Sequence, residues 1–201
     1  MRQLSLPRGP LGRLLAVVMN RRNRDLSQGC VEAIAPRKGS SVADVGFGGG
    51  VGLQMLMERV GLTGIVSGVD PSDTMRARAL TKLKDDVALD RLRILEGTAA
   101  ETSLRDASQA GIISVNTVYF WPDLDAGMAG LVRALEPGGA LAIGIGARKA
   151  QLGMGFDERA ERVIEAPALA DAMRAAGLTR VSVAAPRGDE GPAIVRGYAP
   201  A

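Results

Sequence analysis

The chain has 201 residues, 46% of them hydrophobic and 23% charged, with a formal net charge of +3. That is the length and composition of one soluble globular domain with a sizeable core, and its mild basicity neither requires nor forbids a polyanionic partner. It has no histidine and a single cysteine, Cys30, which removes Ser-His-Asp and Cys-His catalysis, histidine-based metal sites and an internal disulfide.

The first 35 residues read as a helical segment. Leu11, Leu14, Leu15 and Val18 recur at helical spacing, and Arg13, Arg21, Arg22 and Arg24 make the remainder basic. The apolar run Leu14 to Met19 is short and is followed by "NRRNRD", so a cleaved signal is not expected, nor is a membrane span. A cytoplasmic protein is the expectation. The segment is a candidate lid, or a surface helix able to touch a membrane peripherally.

From residue 41 onward strands and helices alternate. Strands are expected at 41–46, 64–69, 91–95, 111–118 and 140–145. Helices are expected at 50–60, 72–84, 99–108 (weakly) and 124–135, the last stopped by "EPGG". This rhythm means βαβ units, a parallel sheet and helices on both faces. The C-terminal part departs from it: a helix from "APALADAMRAAGL" leads to two strands, "TRVSVAA" and "PAIVRGYA", joined by a link short enough only for an antiparallel hairpin. Residues 147–165 are the least regular, a lid or a plain surface loop.

Within "SVADVGFGGGVGLQML", five glycines lie between Gly46 and Gly52, where a strand hands over to a helix. Backbone N–H groups at such a junction face a ligand. Asp70 ends the second strand, placed to accept the two hydroxyls of a ribose. The dinucleotide fingerprint G-x-G-x-x-G is incomplete, because Val51 stands at its third glycine, and no G-K-[ST] is present. Asp44, two residues before the loop, would repel a pyrophosphate and attract an ammonium or sulfonium. The site therefore suits a cationic adenosine derivative.

The blocks "VADVGFGGG", "GVDPSDTM", "LEGTAAE", "VNTVYFW" and "ALEPGGALAI" resemble, in order and interval, five motifs of the class I S-adenosylmethionine-dependent methyltransferases, in their small methyltransferase-domain group. The resemblance covers about residues 40–185 and implies a Rossmann-like, doubly wound α/β fold. It divides the chain into the helical segment 1–35 and an S-adenosylmethionine-binding domain, 36–201. By position it implies that Asp44 binds the methionine amino group, that Gly46, Phe47 and Gly48 line the methionine and ribose, and that Asp70 bridges the ribose hydroxyls. Pro71 and Met75 would lie against the adenine, Thr98 and Ala99 at its edge, and Asn116 and Thr117 at the methyl-donor end. Many relatives carry Asp where this chain has Thr98, which offers an acceptor oxygen without the charge.

Methyl transfer from a sulfonium needs alignment first and a general base only for a protonated nucleophile. Tyr119, Asp123 and Asp125 are the candidate bases, Tyr119 first because it lies nearest the strand end. Methylases of base or glutamine amino groups typically carry N-P-P-Y where this chain has "NTVY", and aromatic residues are few, so a nucleic acid is not the expected partner. A small-molecule O or N acceptor is the first reading. A phospholipid or other lipid N-acceptor is the second, and a non-catalytic S-adenosylmethionine-binding partner protein the third. No resident metal is expected.

Overall fold

The computed structural model describes residues 23–148, 151, 163–185, 188 and 191–201. The candidate-lid positions Leu11, Arg13, Leu14, Leu15, Val18, Arg21 and Arg22, and most of 147–165, lie outside the described residues.

Seven strands form one sheet: β1 (Ser41–Val45), β2 (Ile65–Val69), β3 (Leu92–Leu95), β4 (Gln109–Val115), β5 (Leu135–Ile145), β6 (Thr179–Ala184) and β7 (Ala193–Tyr198). Their spatial order is β3-β2-β1-β4-β5-β7-β6. The first five pair in parallel, while β7 inserts antiparallel between β5 and β6 as the far arm of the expected hairpin. The chain runs outward from β1 to β3, then returns to β4 on the other side of β1. That reversal between β1 and β4 opens a crevice at their C-terminal ends, where ligands of such sheets bind.

Strand residues alternate between two cores. Ala43, Ile112 and Leu141 face one side with Met128 and Leu131 of α5 (Leu124–Ala134) and Leu169 and Met173 of α6 (Ala166–Ala175). Val42, Ile113 and Ala142 face the other, with Cys30, Val31 and Ile34 from helix α1 (residues 23–34). Leu53 and Leu56 of α2 (Val51–Val60) and Met75 and Ala79 of α3 (Asp73–Lys82) complete that layer. Successive strand side chains point to opposite faces, so one near-continuous apolar run serves both layers.

Several boundaries differ from the sequence reading: the fourth strand, expected to reach residue 118, ends at Val115, and Val118–Phe120 form a 3-10 turn. The expected helix 72–84 is interrupted at Leu83, and a short helix α4 (Lys84–Ala88) follows. The "EPGG" punctuation survives as an irregularity inside β5, whose pairing jumps from Gln109–Leu135 to Gly111–Ala140. The weak helix expected at 99–108 is absent. Its Ser and Thr side chains take local backbone groups instead: Ser103 Oγ donates to Glu96 O at 2.7 Å, and Thr102 Oγ1 accepts from Leu104 N at 3.2 Å. The carbonyls of Ala99 and Ala100 also come so close to α5 that a Cβ at Gly130 would lie 2.3 Å and 2.5 Å from them.

Candidate functional site

A cleft of about 480 Å³ opens where β1 and β4 diverge. Its floor is the loop from β1 into α2. Gly46 has φ +78°, and its N–H donates to Val69 O at 2.7 Å, tying the loop to the end of β2. A Cβ there would lie 2.3 Å from Thr117 Cγ2, so the close approach of the β1 and β4 ends depends on the missing side chain. Gly52, in the first turn of α2, plays the same part for Asp44: a Cβ would fall 2.2 Å from Asp44 Oδ2. The Asp44 carboxylate thus lies across a helix N-terminus that has no side-chain cap.

Asp44 is 4% exposed and lines the cleft. Among the described residues nothing donates a hydrogen bond to its carboxylate. Burial, and then the neighbouring charge of Asp70, push its pKa up to about 8. Such a group is costly as an anion until a cation arrives.

Asp70, 5% exposed, is held more firmly. Its Oδ2 accepts from Gly48 N–H and its Oδ1 from Ser72 N–H, each at 2.8 Å. Burial raises its pKa, while those two N–H groups and Arg76 oppose the rise. Arg76 Nη1 donates to the Asp70 carbonyl at 2.9 Å, and Arg76 Nη2 binds Asp73 and Glu96 at 2.6 Å and 2.9 Å. Each carboxylate oxygen takes one backbone donor and keeps lone-pair capacity for a ligand hydroxyl.

Every expected cofactor position lines the cleft: Asp44, Gly46, Phe47, Gly48, Asp70, Pro71, Met75, Thr98, Ala99, Asn116 and Thr117. Thr98 stands in a tight turn; its N–H donates to Glu101 O at 2.9 Å, and its Oγ1 accepts from Glu101 N at 3.2 Å. Of the candidate bases, Asp123 stands exposed at the rim, where its Oδ1 caps α5 by accepting from Ala126 N at 3.0 Å. Tyr119 is not among the lining residues. It is 2% exposed, and burial pushes its phenol well above the usual range. Its hydroxyl accepts from Gly146 N at 2.7 Å and lies 3.2 Å from Asn116 Oδ1.

The structure adds residues that sequence reasoning missed. Asn23 and Ser27 reach the cleft from α1, and Asn116 Nδ2 donates to Asn23 Oδ1 at 2.9 Å. The signal was available: Asn23 and Ser27 continue the stripe of Cys30 and Ile34 at i, i+4, i+7 and i+11, as polar positions on an apolar face. Phe120 and Trp121 also line the cleft, and Trp121 lies so close over Gly127 that a Cβ there would be 2.5 Å from its ring. The ionisable lining residues Asp44, Asp70, Glu101 and Asp123 are all carboxylates, with no Lys or Arg among the described lining. A phosphate would find repulsion there, and a cation attraction.

Residues 43–143 match a protein family described as a methyltransferase domain. An uncharacterized methyltransferase of Bacillus subtilis, YdaC, is 29% identical over 133 residues, covering 66% of this chain and 71% of the relative. A solved S-adenosylmethionine-dependent methyltransferase from Aquifex aeolicus superposes with a TM-score of 0.75 at 20% identity, covering 92% of this chain and 97% of that one. Phosphoethanolamine N-methyltransferase 2 of Haemonchus contortus, solved with S-adenosyl-L-methionine, gives a TM-score of 0.72 at 17% identity, covering 88% of this chain and 53% of that one.

Proposed function

The chain belongs to the methyltransferase-domain family, as an S-adenosylmethionine-dependent enzyme, and we propose that it delivers the methyl group to a small-molecule acceptor. The observation that carries this reading is the pairing of Asp44 and Asp70. One is a buried carboxylate with no donor of its own among the described residues, and the other is fixed by two backbone N–H groups beside the same glycine loop.

The cleft fits the cofactor. Asp44 would hold the methionine amino group and Asp70 the ribose hydroxyls, with Gly46, Phe47 and Gly48 beneath them. Pro71 and Met75 would flank the adenine, Thr98 and Ala99 would meet its edge, and Asn116 and Thr117 would stand at the methyl-donor end. S-adenosylmethionine supplies, when bound, a methyl group on a positively charged sulfur. The protein then has to hold an acceptor in line and keep water out. Phe120 and Trp121 supply an apolar wall for that purpose.

The acidic lining favours a neutral acceptor over a phospholipid headgroup, whose phosphate would face carboxylates without a compensating cation among the described lining. Among the described residues no helix is long and apolar enough to cross a membrane. Calorimetry with S-adenosylmethionine and S-adenosylhomocysteine tests the cofactor assignment. Micromolar binding that Asp70→Ala reduces severely is the expected result, and unchanged affinity in that variant would refute it. Transfer of a labelled methyl group to members of a metabolite panel, with none to phosphatidylethanolamine vesicles, tests the acceptor class.

A further inference from the structure

The methyl-donor end of the cleft carries a hydrogen-bond network whose donors and acceptors can be counted. Gly146 N–H donates to Asn116 Oδ1 at 2.7 Å and to Tyr119 Oη at 2.7 Å. A backbone N–H can only donate, so the Asn116 atom facing it is the carbonyl oxygen; the amide cannot be flipped. Tyr119 Oη, which accepts from Gly146, sends its own proton to the same Asn116 oxygen at 3.2 Å. Both lone pairs of Asn116 Oδ1 are then taken from the protein side. One Nδ2 hydrogen goes to Asn23 Oδ1. Gly146 is itself clamped, because its carbonyl accepts from the buried Gln151 Nε2 at 2.9 Å. What Asn116 has left for a ligand is one N–H.

The neighbouring Thr117 has the opposite polarity. Ser114 Oγ donates its one proton to Val45 O at 2.7 Å, so in its 2.5 Å contact with Thr117 Oγ1 the threonine is the donor. Thr117 Oγ1 is left with lone pairs only. A donor and an acceptor thus adjoin on the cleft wall.

We propose that Asn116 and Thr117 select a hydroxyl oxygen as the methyl acceptor, with Tyr119 and Asn23 as positioning residues that lock the Asn116 amide. The inference rests on the methyltransferase reading above. A hydroxyl matches both neighbours: its O–H donates to Thr117, and one lone pair accepts from the Asn116 N–H. Its second lone pair remains free to attack. A neutral amine has one lone pair, and accepting from Asn116 would occupy the electrons needed for bond formation. In the transfer the oxygen lone pair forms the O–CH₃ bond, and the CH₃–S bond breaks with its electron pair on sulfur, leaving a neutral thioether. The hydroxyl proton stays on the oxygen, held by Thr117 Oγ1, while the bond forms, and the resulting oxonium loses it to solvent as the methyl ether leaves. Tyr119 has no part in that proton transfer, because its own proton is committed to Asn116.

The test uses ¹⁵N-labelled protein saturated with S-adenosylhomocysteine, following the Asn116 side-chain amide resonances. Phenol and aniline are added in parallel at millimolar concentration, to wild type, Tyr119→Phe and Asn116→Asp. Phenol is expected to shift the Asn116 amide resonance at least fivefold more than aniline in wild type. Tyr119→Phe is expected to accelerate exchange of that amide with solvent about tenfold or more. In Asn116→Asp, which replaces the donor with an acceptor, phenol affinity read from the lone Trp121 fluorescence is expected to fall at least tenfold. No shift with phenol, an equal or larger shift with aniline, or identical exchange in Tyr119→Phe each overturns the proposal. Failure of S-adenosylhomocysteine to bind the wild-type protein would instead refute the methyltransferase reading itself.

Discussion

The two ends of the cleft are held by opposite means. At the β1 end the shape is made by what is missing: Gly46 and Gly52 lack the Cβ atoms that would strike Thr117 and Asp44. The functional groups there are two carboxylates and backbone N–H donors, set by residues within one short stretch and the next strand. At the β4 end the shape is made by groups from four places, three side chains and one backbone N–H. Asn23 comes from α1, Asn116 from the end of β4, Tyr119 from the 3-10 turn Val118–Phe120, and Gly146 from the exit of β5. The first end leaves a carboxylate unsatisfied and waiting for a cation. The second satisfies nearly everything internally and presents one donor, the Asn116 N–H, beside one acceptor, Thr117 Oγ1. A site that must bind one fixed cofactor and a separate acceptor is well served by such a division, because ligand charge drives binding at one end and hydrogen-bond polarity discriminates at the other.

Substitutions should separate the two ends. The largest effect is expected from Asp70→Ala, which removes the carboxylate that gathers Gly48, Ser72 and the ligand hydroxyls. Affinity for S-adenosylhomocysteine should fall by about 30- to 100-fold, the order of 2–3 kcal/mol for lost charge-assisted hydrogen bonds. Calorimetry against the wild type checks it.

Asp44→Asn comes next, with opposite signs for binding and stability. It should weaken S-adenosylmethionine binding about tenfold or more while raising the melting temperature of the free protein at pH 8. Because burial raises the pKa of Asp44 in the folded protein to about 8, far above the ordinary carboxylate range, its contribution to stability is fully present below about pH 4. That contribution is lost as pH rises toward 8. Between pH 5 and 8 the wild-type melting temperature should therefore decline more steeply than that of Asp44→Asn. Parallel melting curves across that window would contradict the assignment.

Gly52→Ala should act through Asp44. The new methyl group displaces the carboxylate from α2, and affinity should fall about fivefold to tenfold with the fold intact by circular dichroism. The smallest effect on cofactor binding is expected from Tyr119→Phe at the β4 end, within about twofold. It should lower the melting temperature by about 2–4 °C, matching roughly 1 kcal/mol for a lost buried hydrogen bond. If Tyr119→Phe weakened the cofactor as much as Asp44→Asn does, the distinction between the two ends would fail.

The same contrast explains what could be read from the sequence. The β1 end was legible because its logic is local. A strand, a glycine run and a helix are contiguous from Ser41 to Val60, and Asp70 ends the next strand at a predictable interval. The parallel sense of the sheet and its closing antiparallel hairpin were legible too, since alternating elements and a short terminal link leave few topologies, whereas the insertion of β7 between β5 and β6 was not. The β4 end was legible only in part: Asn116 and Thr117 were expected there and line the cleft, but the network that holds them was not foreseen. Asn23 and Asn116 are 93 positions apart, and nothing in either segment announces that they meet. Tyr119 stood out as a reactive group near a strand end. Only its burial and its bonds to Gly146 and Asn116 separate a supporting hydroxyl from a cleft-facing one. The weak helix at 99–108 failed for a related reason. Its serines and threonines had two options for their hydroxyls, and the packing of Gly130 against Ala99 and Ala100 decided between them.

The most direct test of the account is the proton balance of cofactor binding. Titration of the protein with S-adenosylmethionine at pH 7, in buffers of different ionisation enthalpy, reports the protons exchanged per site. With the Asp44 carboxyl mostly protonated in the free protein and ionised against the ligand ammonium, release of most of one proton is predicted for wild type and none for Asp44→Asn. Binding without proton release in the wild type, or equal release in both proteins, would contradict the claim that a buried, unpartnered Asp44 selects the cation.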